Sequence, residues 1–203
     1  TCYIKSEELN NFDKIKANID SIVSLNSEEW DSLRNDISFV HLKKGDFFLQ
    51  EGAVCKEIAF IDKGALIYSR SLDNGDEITS FAFENEWVTN NYSRLNNSPS
   101  NLNIKAIEDS NLLVIRRQNL TCLYDRIPMI ERFSRILMEQ AYLKIVGLSI
   151  DLQTLSATDR YLKLMETYPE IFQRVPLYHI ANYLGIAPKS LSRIRNSIFS
   201  SGK

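Results

Sequence analysis

Histidine and cysteine are scarce in this chain, and their scarcity argues against several classes of function. The 203 residues include 2 histidines and 3 cysteines. Metal-dependent enzymes usually need two or three histidines with a carboxylate, whereas His41 and His179 stand far apart in the sequence. The cysteines are odd in number and widely spaced, so they fit neither a disulfide framework nor a metal cluster. We expect reduced thiols, with Cys55 in a loop, Cys122 buried and Cys2 exposed.

Long apolar runs and catalytic motifs are missing as well. No stretch approaches the roughly 18–20 apolar residues that cross a bilayer, and no signal peptide is recognisable after Thr1. There is no nucleophile motif, no glycine-rich phosphate loop and no pair of carboxylates at a catalytic spacing. We therefore expect a cytoplasmic protein that is not an enzyme, has no membrane partner and carries no metal or resident cofactor.

Charge is distributed unevenly along the chain. The formal net charge is −2, which by itself gives no sign of a nucleic-acid partner. Residues 1–154, however, contain 17 basic and 23 acidic residues, and residues 155–203 contain 7 and 3. Five basic residues and no acidic one follow from Arg174 to the C-terminus. A polyanion such as double-stranded DNA would be attracted to this end of the molecule.

The same C-terminal segment has the pattern of a helix-turn-helix. Apolar residues at helical spacing fall on both sides of Gly185, which suits a left-handed turn, and Pro188 suits the first turn of the second helix. A generic helical hairpin is the alternative, but the joint match of Ala181, Gly185, Pro188 and the apolar positions favours a DNA reader. The polar residues that the second helix would present are Lys189, Ser190, Ser192, Arg193, Arg195 and Asn196.

The remaining chain divides into two further patterns. Residues 6–36 read as helices, with a start near Ser27, and residues 37–118 read as short strands separated by turn signals such as Asn74-Gly75. This pattern predicts an antiparallel barrel or jelly roll. The segment from about Pro128 to Leu155 is helical and apolar on more than one side, so a second copy of the helix is the simplest cover for one face. The residues expected at that face are Phe133, Ile136, Leu137, Leu143, Val146 and Ile150.

The order of these parts resembles the Crp/Fnr family of bacterial transcription regulators. The resemblance covers nearly the whole chain and rests on residues 42–46, residues 61–66 with Gly52 and Gly75, and residues 158–161 with 175–198. It implies an α+β protein with three parts. These are an antiparallel β-roll of jelly-roll type with flanking helices over residues 1–127, a long dimerisation helix over 128–155, and an all-α helix-turn-helix domain over 156–203. It also implies homodimers on two-fold symmetric operators, with RNA polymerase as a further partner.

Departures from the family pattern argue against cyclic AMP as the effector. Members that bind this nucleotide hold its phosphate with a Gly-Glu pair and an Arg followed by Ser or Thr. The stretches matched here are Asn85-Glu86-Trp87 and residues 99–102, which lack that arginine, and Arg94 stands several residues early. A buried phosphate would lose its charge-assisted, bidentate contact. The dimer helix offers Ile145-Val146 where hydroxyls are usual. A lone Cys2 cannot hold an iron–sulfur cluster, and only His41 and Cys55 are candidate haem ligands.

Any small-molecule effector is expected between the roll and the long helix. The residues proposed to line this pocket are Glu86, Trp87, Tyr92, Asn101 and Tyr142. The chain ends at Lys203, so a β-hairpin wing is either truncated or lacking in this branch of the family. Phosphate anchoring is then expected from Arg174, Tyr178, His179 and Arg195. The competing interpretation is a small-molecule-binding regulatory protein that acts through protein contacts and shows no salt-dependent affinity for DNA.

Overall fold

The structure, a computed structural model, describes residues 12–73 and 75–201, with side chains described up to residue 198. Predictions that concern Cys2, Asn74 and the beginning of the first helical segment fall outside the described residues. No described helix is both long enough and apolar enough to cross a membrane.

Two antiparallel sheets of four strands form the predicted roll. The first has the strand order β1-β8-β3-β6 and the second β2-β7-β4-β5. The strands are β1 (Ile37–Leu42), β2 (Phe47–Leu49), β3 (Glu57–Lys63), β4 (Leu66–Leu72), β5 (Gly75–Ala82), β6 (Trp87–Val88), β7 (Asn103–Ala106) and β8 (Ser110–Arg116). The α+β class and the roll are thus confirmed.

Helices precede, interrupt and follow the roll. Those before and within it are α1 (Asp13–Asp20), α2 (Ser27–Asn35) and α3 (Asn91–Asn96). After it come α4 (Arg117–Arg126), α5 (Pro128–Thr154), α6 (Ala157–Thr167), α7 (Ile171–Arg174), α8 (Leu177–Tyr183) and α9 (Pro188–Ser201). Asn26, one residue before the predicted start at Ser27, caps α2 in a reciprocal hydrogen-bond pair with Glu29.

Adjacent residues of the roll strands belong to different hydrophobic cores. Ala59 and Ile61 point between the two sheets, whereas Phe60 points to the helices α1, α2, α4 and α5. In β4, Leu66 points between the sheets and Ile67 to the C-terminal helices. Successive strand residues face opposite sides of a sheet, so both sheets have two buried faces.

The C-terminal helices pack around a third core, which they share with the roll. It contains Ile180, Ala181, Leu184 and Leu191 from the predicted helix-turn-helix, together with Ile78 and its neighbours on the roll. The helix-turn-helix is therefore docked against the outer face of the second sheet.

One local prediction needs correction, and four short elements were not foreseen. Cys122 is exposed, because α4 directs Leu120 and Leu123 to the core and so turns Cys122 outward. Cys55 lies in a loop as predicted, but it is buried. The short elements β6, α3, α4 and α7 were not foreseen, because fewer than three periods of apolar pattern mark each of them.

Gly64 provides a test of the tight contact between the β3–β4 turn and Ser110 at the start of β8. Its φ is +106°, and an added Cβ would lie 2.6 Å from Ser110 Cα. Gly64→Ala should therefore lower the free energy of unfolding by about 2–4 kcal/mol, combining backbone strain with overpacking. Urea unfolding followed by circular dichroism would measure this loss. Gly45→Ala is the matched control, since Gly45 has a φ of +97° and open space. Equal losses in both variants would contradict the steric part of this prediction.

Candidate nucleic-acid interface

The outer face of α9 is the candidate DNA-reading surface. Gly185 adopts a φ of +67° and ends the turn after α8, and Pro188 opens α9, both as expected. Lys189, Ser192 and Arg193 are exposed, whereas Ser190 is half-buried; Asn196 is also exposed. The arrangement leaves a basic, hydrogen-bonding surface on one side of a helix of the size that fits the major groove.

Arg195, predicted for the same surface, lies instead on the inner face of α9. Its guanidinium is 5.6 Å from the centre of the Phe172 ring, and it hydrogen-bonds Tyr161. Burial raises the pKa of the Tyr161 hydroxyl, partly opposed by Arg195. The reason is helical periodicity: position 195 follows Leu191 by four residues, so both side chains share the side that packs on the domain.

Arg174 is also placed away from a DNA backbone. Its guanidinium forms two hydrogen bonds to the Glu84 carboxylate, at 2.8 and 2.9 Å, and a further ion pair with Glu108. Burial disfavours the Glu84 anion, but hydrogen bonds from Arg174 and from the Gly64 amide outweigh it, so the pKa of Glu84 lies below its ordinary value. Arg174 therefore fastens the C-terminal domain to the roll, and the prediction that it anchors phosphates is corrected.

The first helix of the pair, α8, contacts strand β5. Asn182 Oδ1 accepts a hydrogen bond from Ile78 N at 2.6 Å, and Asn182 Nδ2 donates to the Asp76 carbonyl at 3.0 Å. His179 is half-buried beside this contact, and burial lowers its pKa. Tyr178, by contrast, is 59% exposed and remains accessible to a ligand. Two of the four predicted anchoring residues, Arg174 and Arg195, thus have structural partners instead.

Comparison with known proteins finds a family match for the roll and structural matches for most of the chain. Residues 39–126 match the family described as "Cyclic nucleotide-binding domain". No curated protein sequence matches the chain. FixK2 from Bradyrhizobium japonicum has a TM-score of 0.69 and 15% identity, over 82% of this chain and 86% of that one. The c-di-GMP-responsive regulator CLP from Xanthomonas campestris has a TM-score of 0.69 and 12% identity, over 87% of this chain and 93% of that one.

A transcriptional regulator assigned to the Crp/Fnr family, from Eubacterium rectale, has a TM-score of 0.66 and 17% identity, over 88% of this chain and 85% of that one. The chain has the Crp/Fnr fold. The resemblance drawn from the sequence is confirmed at this level, with a cyclic nucleotide-binding domain in the N-terminal part.

Within the Crp/Fnr fold, the residues proposed for an effector pocket are scattered. Glu86 accepts hydrogen bonds from Lys144 Nζ at 3.3 Å and from the Tyr168 hydroxyl at 3.1 Å, so it joins the roll to α5 and α6. Burial lowers the pKa of Lys144, but the opposite charge of Glu86 and the contact with Tyr168 outweigh this effect. The pKa of Lys144 therefore lies above its ordinary value. Trp87 donates to Asn18 Oδ1 at 2.9 Å and packs against Phe133.

The other proposed pocket residues are solvent-facing. Tyr92 is 67% exposed and Tyr142 is 66% exposed, and Asn101 is exposed in a loop. The prediction placed them together because they flank the roll and the long helix in sequence. In the structure, only Glu86 and Trp87 line the cleft between these elements.

Three polar side chains of the roll, Tyr68, Asn90 and Ser100, are engaged by groups of the roll itself. Asn90 Nδ2 donates to Ser100 Oγ at 2.8 Å, and the Tyr68 hydroxyl accepts from the Thr89 amide at 3.3 Å. Burial raises the pKa of Tyr68 far above its ordinary value, so this hydroxyl is neutral. His41, the haem-ligand candidate, is a strand residue whose Nδ1 contacts Asn111 Oδ1 at 2.8 Å.

The long helix α5 has a buried side and an apolar exposed side. Phe133 and Leu137, both predicted for a dimer face, pack instead on the roll, because they share the side of Ile130. Leu143 and Ile150 are 66% and 54% exposed, and Val146 and Ile136 are half-buried. Tyr142 and Ile145, 66% and 68% exposed, extend this apolar side beyond the residues predicted for the dimer face.

The Arg174 ion pairs predict a pH-dependent contribution to stability. Arg174→Met should leave Glu84 and Glu108 without a cation and lower the free energy of unfolding by about 1–3 kcal/mol at neutral pH, allowing for partial exposure. Because the pKa of Glu84 is depressed in the folded state, its stabilising effect is present above the ordinary value of 4.5 and is lost as the pH falls below it.

Urea unfolding of both proteins between pH 7 and pH 3 would measure this difference, which should shrink in acid. Arg135→Met is the control, because Arg135 pairs with Glu139 on the exposed side of α5 and should contribute less than about 0.5 kcal/mol. Equal effects of the two substitutions would contradict the assignment of Arg174 to the domain contact.

Proposed function

We propose that the protein is a homodimeric, sequence-specific DNA-binding transcription regulator that does not respond to cyclic AMP. The observation that carries this proposal is the exposed face of α9, where Lys189 and Arg193 are accessible while the opposite face packs on the domain. No acidic residue occurs from Arg174 onward to repel a phosphate backbone. Two of the similar structures named above are regulators, namely the global regulator CLP and the Crp/Fnr-family transcriptional regulator from Eubacterium rectale, which supports the same function here.

Two helices are needed to read a two-fold symmetric operator, and α5 offers the means to pair them. Tyr142, Leu143, Ile145 and Ile150 leave an apolar surface in water on the side away from the roll. A contiguous surface of this kind marks an interaction site. A second copy is the partner we propose, because one 27-residue helix can pack along its own symmetry mate. Paired helices would set the two α9 segments about one DNA turn, roughly 34 Å, apart.

Arg193 is the residue proposed to read a base, with guanine as the expected contact. Arg193→Ala should weaken binding to an operator by about 1–3 kcal/mol. The operator would first be selected from random DNA, and fluorescence anisotropy would then give the affinities at a fixed salt concentration. Arg132→Ala, on the exposed surface of α5, is the matched control and should bind normally. An unchanged operator affinity for Arg193→Ala would refute this role, and no salt-dependent affinity for any DNA would favour action through protein contacts.

Leu143 tests the proposed pairing of the long helices. Leu143→Glu should produce monomers, because the new carboxylate would be buried in the dimer without a partner. The variant should still fold, since Leu143 is 66% exposed in the protomer. Sedimentation velocity would measure the mass, with Leu72→Glu as the control at an exposed hairpin position. A dimer that persists in Leu143→Glu would contradict pairing through this side of α5.

A further inference from the structure

Arg94 is buried without an anionic partner. It lies in α3 and is 8% exposed, and it is the only charged residue among the buried ones in the part of the chain that the structure describes. Its Nη2 donates to Asn91 Oδ1 at 2.8 Å, while its Nε finds no hydrogen-bond partner there. Within the described residues, no carboxylate lies within 4.0 Å of its guanidinium.

Arg160, Arg174 and Arg195 also face inward, but each is only half-buried. The Nε atoms of Arg160 and Arg195 likewise lack a hydrogen-bond partner, so the deeper burial of Arg94 is what sets it apart. Arg174 is held by two carboxylates, and Arg160 donates to the carbonyl oxygens of Leu155 and Leu184. Buried cations in folded proteins are normally paired, because removing a charge from water is costly. An unpaired, buried guanidinium is therefore an indication that a ligand supplies the missing anion.

Arg94 lines a cleft of about 690 Å³ between the roll and the helices α1, α3, α4 and α5. One wall is apolar and includes Ile58, Trp87, Leu137 and Met138, which suits the body of an organic molecule. The volume is in the range of small-molecule sites. This cleft lies on the outer side of the first sheet, where Ile58 and Trp87 face the helices.

We propose that this cleft binds a small organic monoanion whose carboxylate pairs with Arg94. The planar guanidinium matches a carboxylate in a bidentate arrangement. The other charged residues that line the cleft, Glu86, Glu131, Arg135 and Lys144, balance one another. Arg94 therefore leaves one positive charge, which a monoanion would neutralise and a phosphate dianion would exceed. The apolar part of the ligand would lie against Trp87 and α5. This site is independent of the proposed DNA binding, and its test contains no DNA.

The test uses the full chain with benzoate and octanoate as probes. Trp30→Phe leaves Trp87 as the only tryptophan of the chain's 2, so its fluorescence reports the cleft, and calorimetry on the unmodified chain checks the affinity. We expect saturable binding of at least one carboxylate. Benzamide and octanamide, which have the same shape without the charge, should bind at least tenfold more weakly, and so should inorganic phosphate.

Arg94→Gln should weaken carboxylate binding at least tenfold, whereas Arg132→Gln, at an exposed position on α5, should leave it unchanged. Without ligand, Arg94→Gln should unfold at an equal or higher temperature than the unmodified chain, because a buried charge is removed. If Arg94 only supports α3, that temperature would fall and ligand binding would not change.

A second variant keeps the charge and removes the space. Ala141→Phe fills the cleft from α5 and should abolish carboxylate binding, even if Arg94→Gln fails to fold. If neither carboxylate bound the unmodified chain, the proposal would be overturned. If the amides bound as tightly as the carboxylates, the proposed ion pair with Arg94 would be contradicted. Tighter binding of inorganic phosphate would overturn the assignment to monocarboxylates.

Discussion

Burial of both faces of the roll's two sheets is the constraint that organises this molecule. Phe60 packs under the helices while its neighbours Ala59 and Ile61 fill the space between the sheets. Adjacent strand residues face opposite sides of a sheet. A shift of register by one residue would therefore move the side chains of one hydrophobic core into the other. One outer face consequently holds the N-terminal helices and α5, and the other holds the helix-turn-helix. Each part of the chain is positioned relative to the others by the same strands.

Polar contacts then fix the orientation of the C-terminal domain on the roll. Arg174 pairs with two roll carboxylates, and Asn182 continues the hydrogen bonding of the β5 edge. Lys144 and Tyr168 meet at Glu86, which links α5 and α6 to the roll. These contacts use the inner surfaces of α7 and α8 and leave the outer face of α9 uncovered. The proposed DNA surface is thus held in place by its domain and remains exposed.

The proposed ligand cleft and the proposed dimer face lie on two different sides of α5. The cleft at Arg94 is walled by the inner side of α5, whereas Leu143 and Ile150 lie on its exposed side. A ligand in the cleft would contact the helix proposed to pair the protomers. If the ligand bound one position of α5 more tightly than another, it would favour the dimer arrangement that has α5 in that position. The size of the shift would equal the difference between the two binding free energies.

The sequence by itself determined the order of the longer strands, the long helix and the helix-turn-helix, because apolar periodicity, Gly185 and Pro188 act over a few residues. It also indicated which end of the chain is basic and that α5 has more than one apolar side. Only the tertiary structure decided that Arg174 and Arg195 are structural, that Phe133 faces the roll and that Arg94 lacks a partner. Those outcomes depend on Glu84, Glu108, Phe172 and Trp87, which are distant in sequence from the residues they contact. The pairing of a charge is a property of the packed surfaces around it, and local patterns do not contain that information.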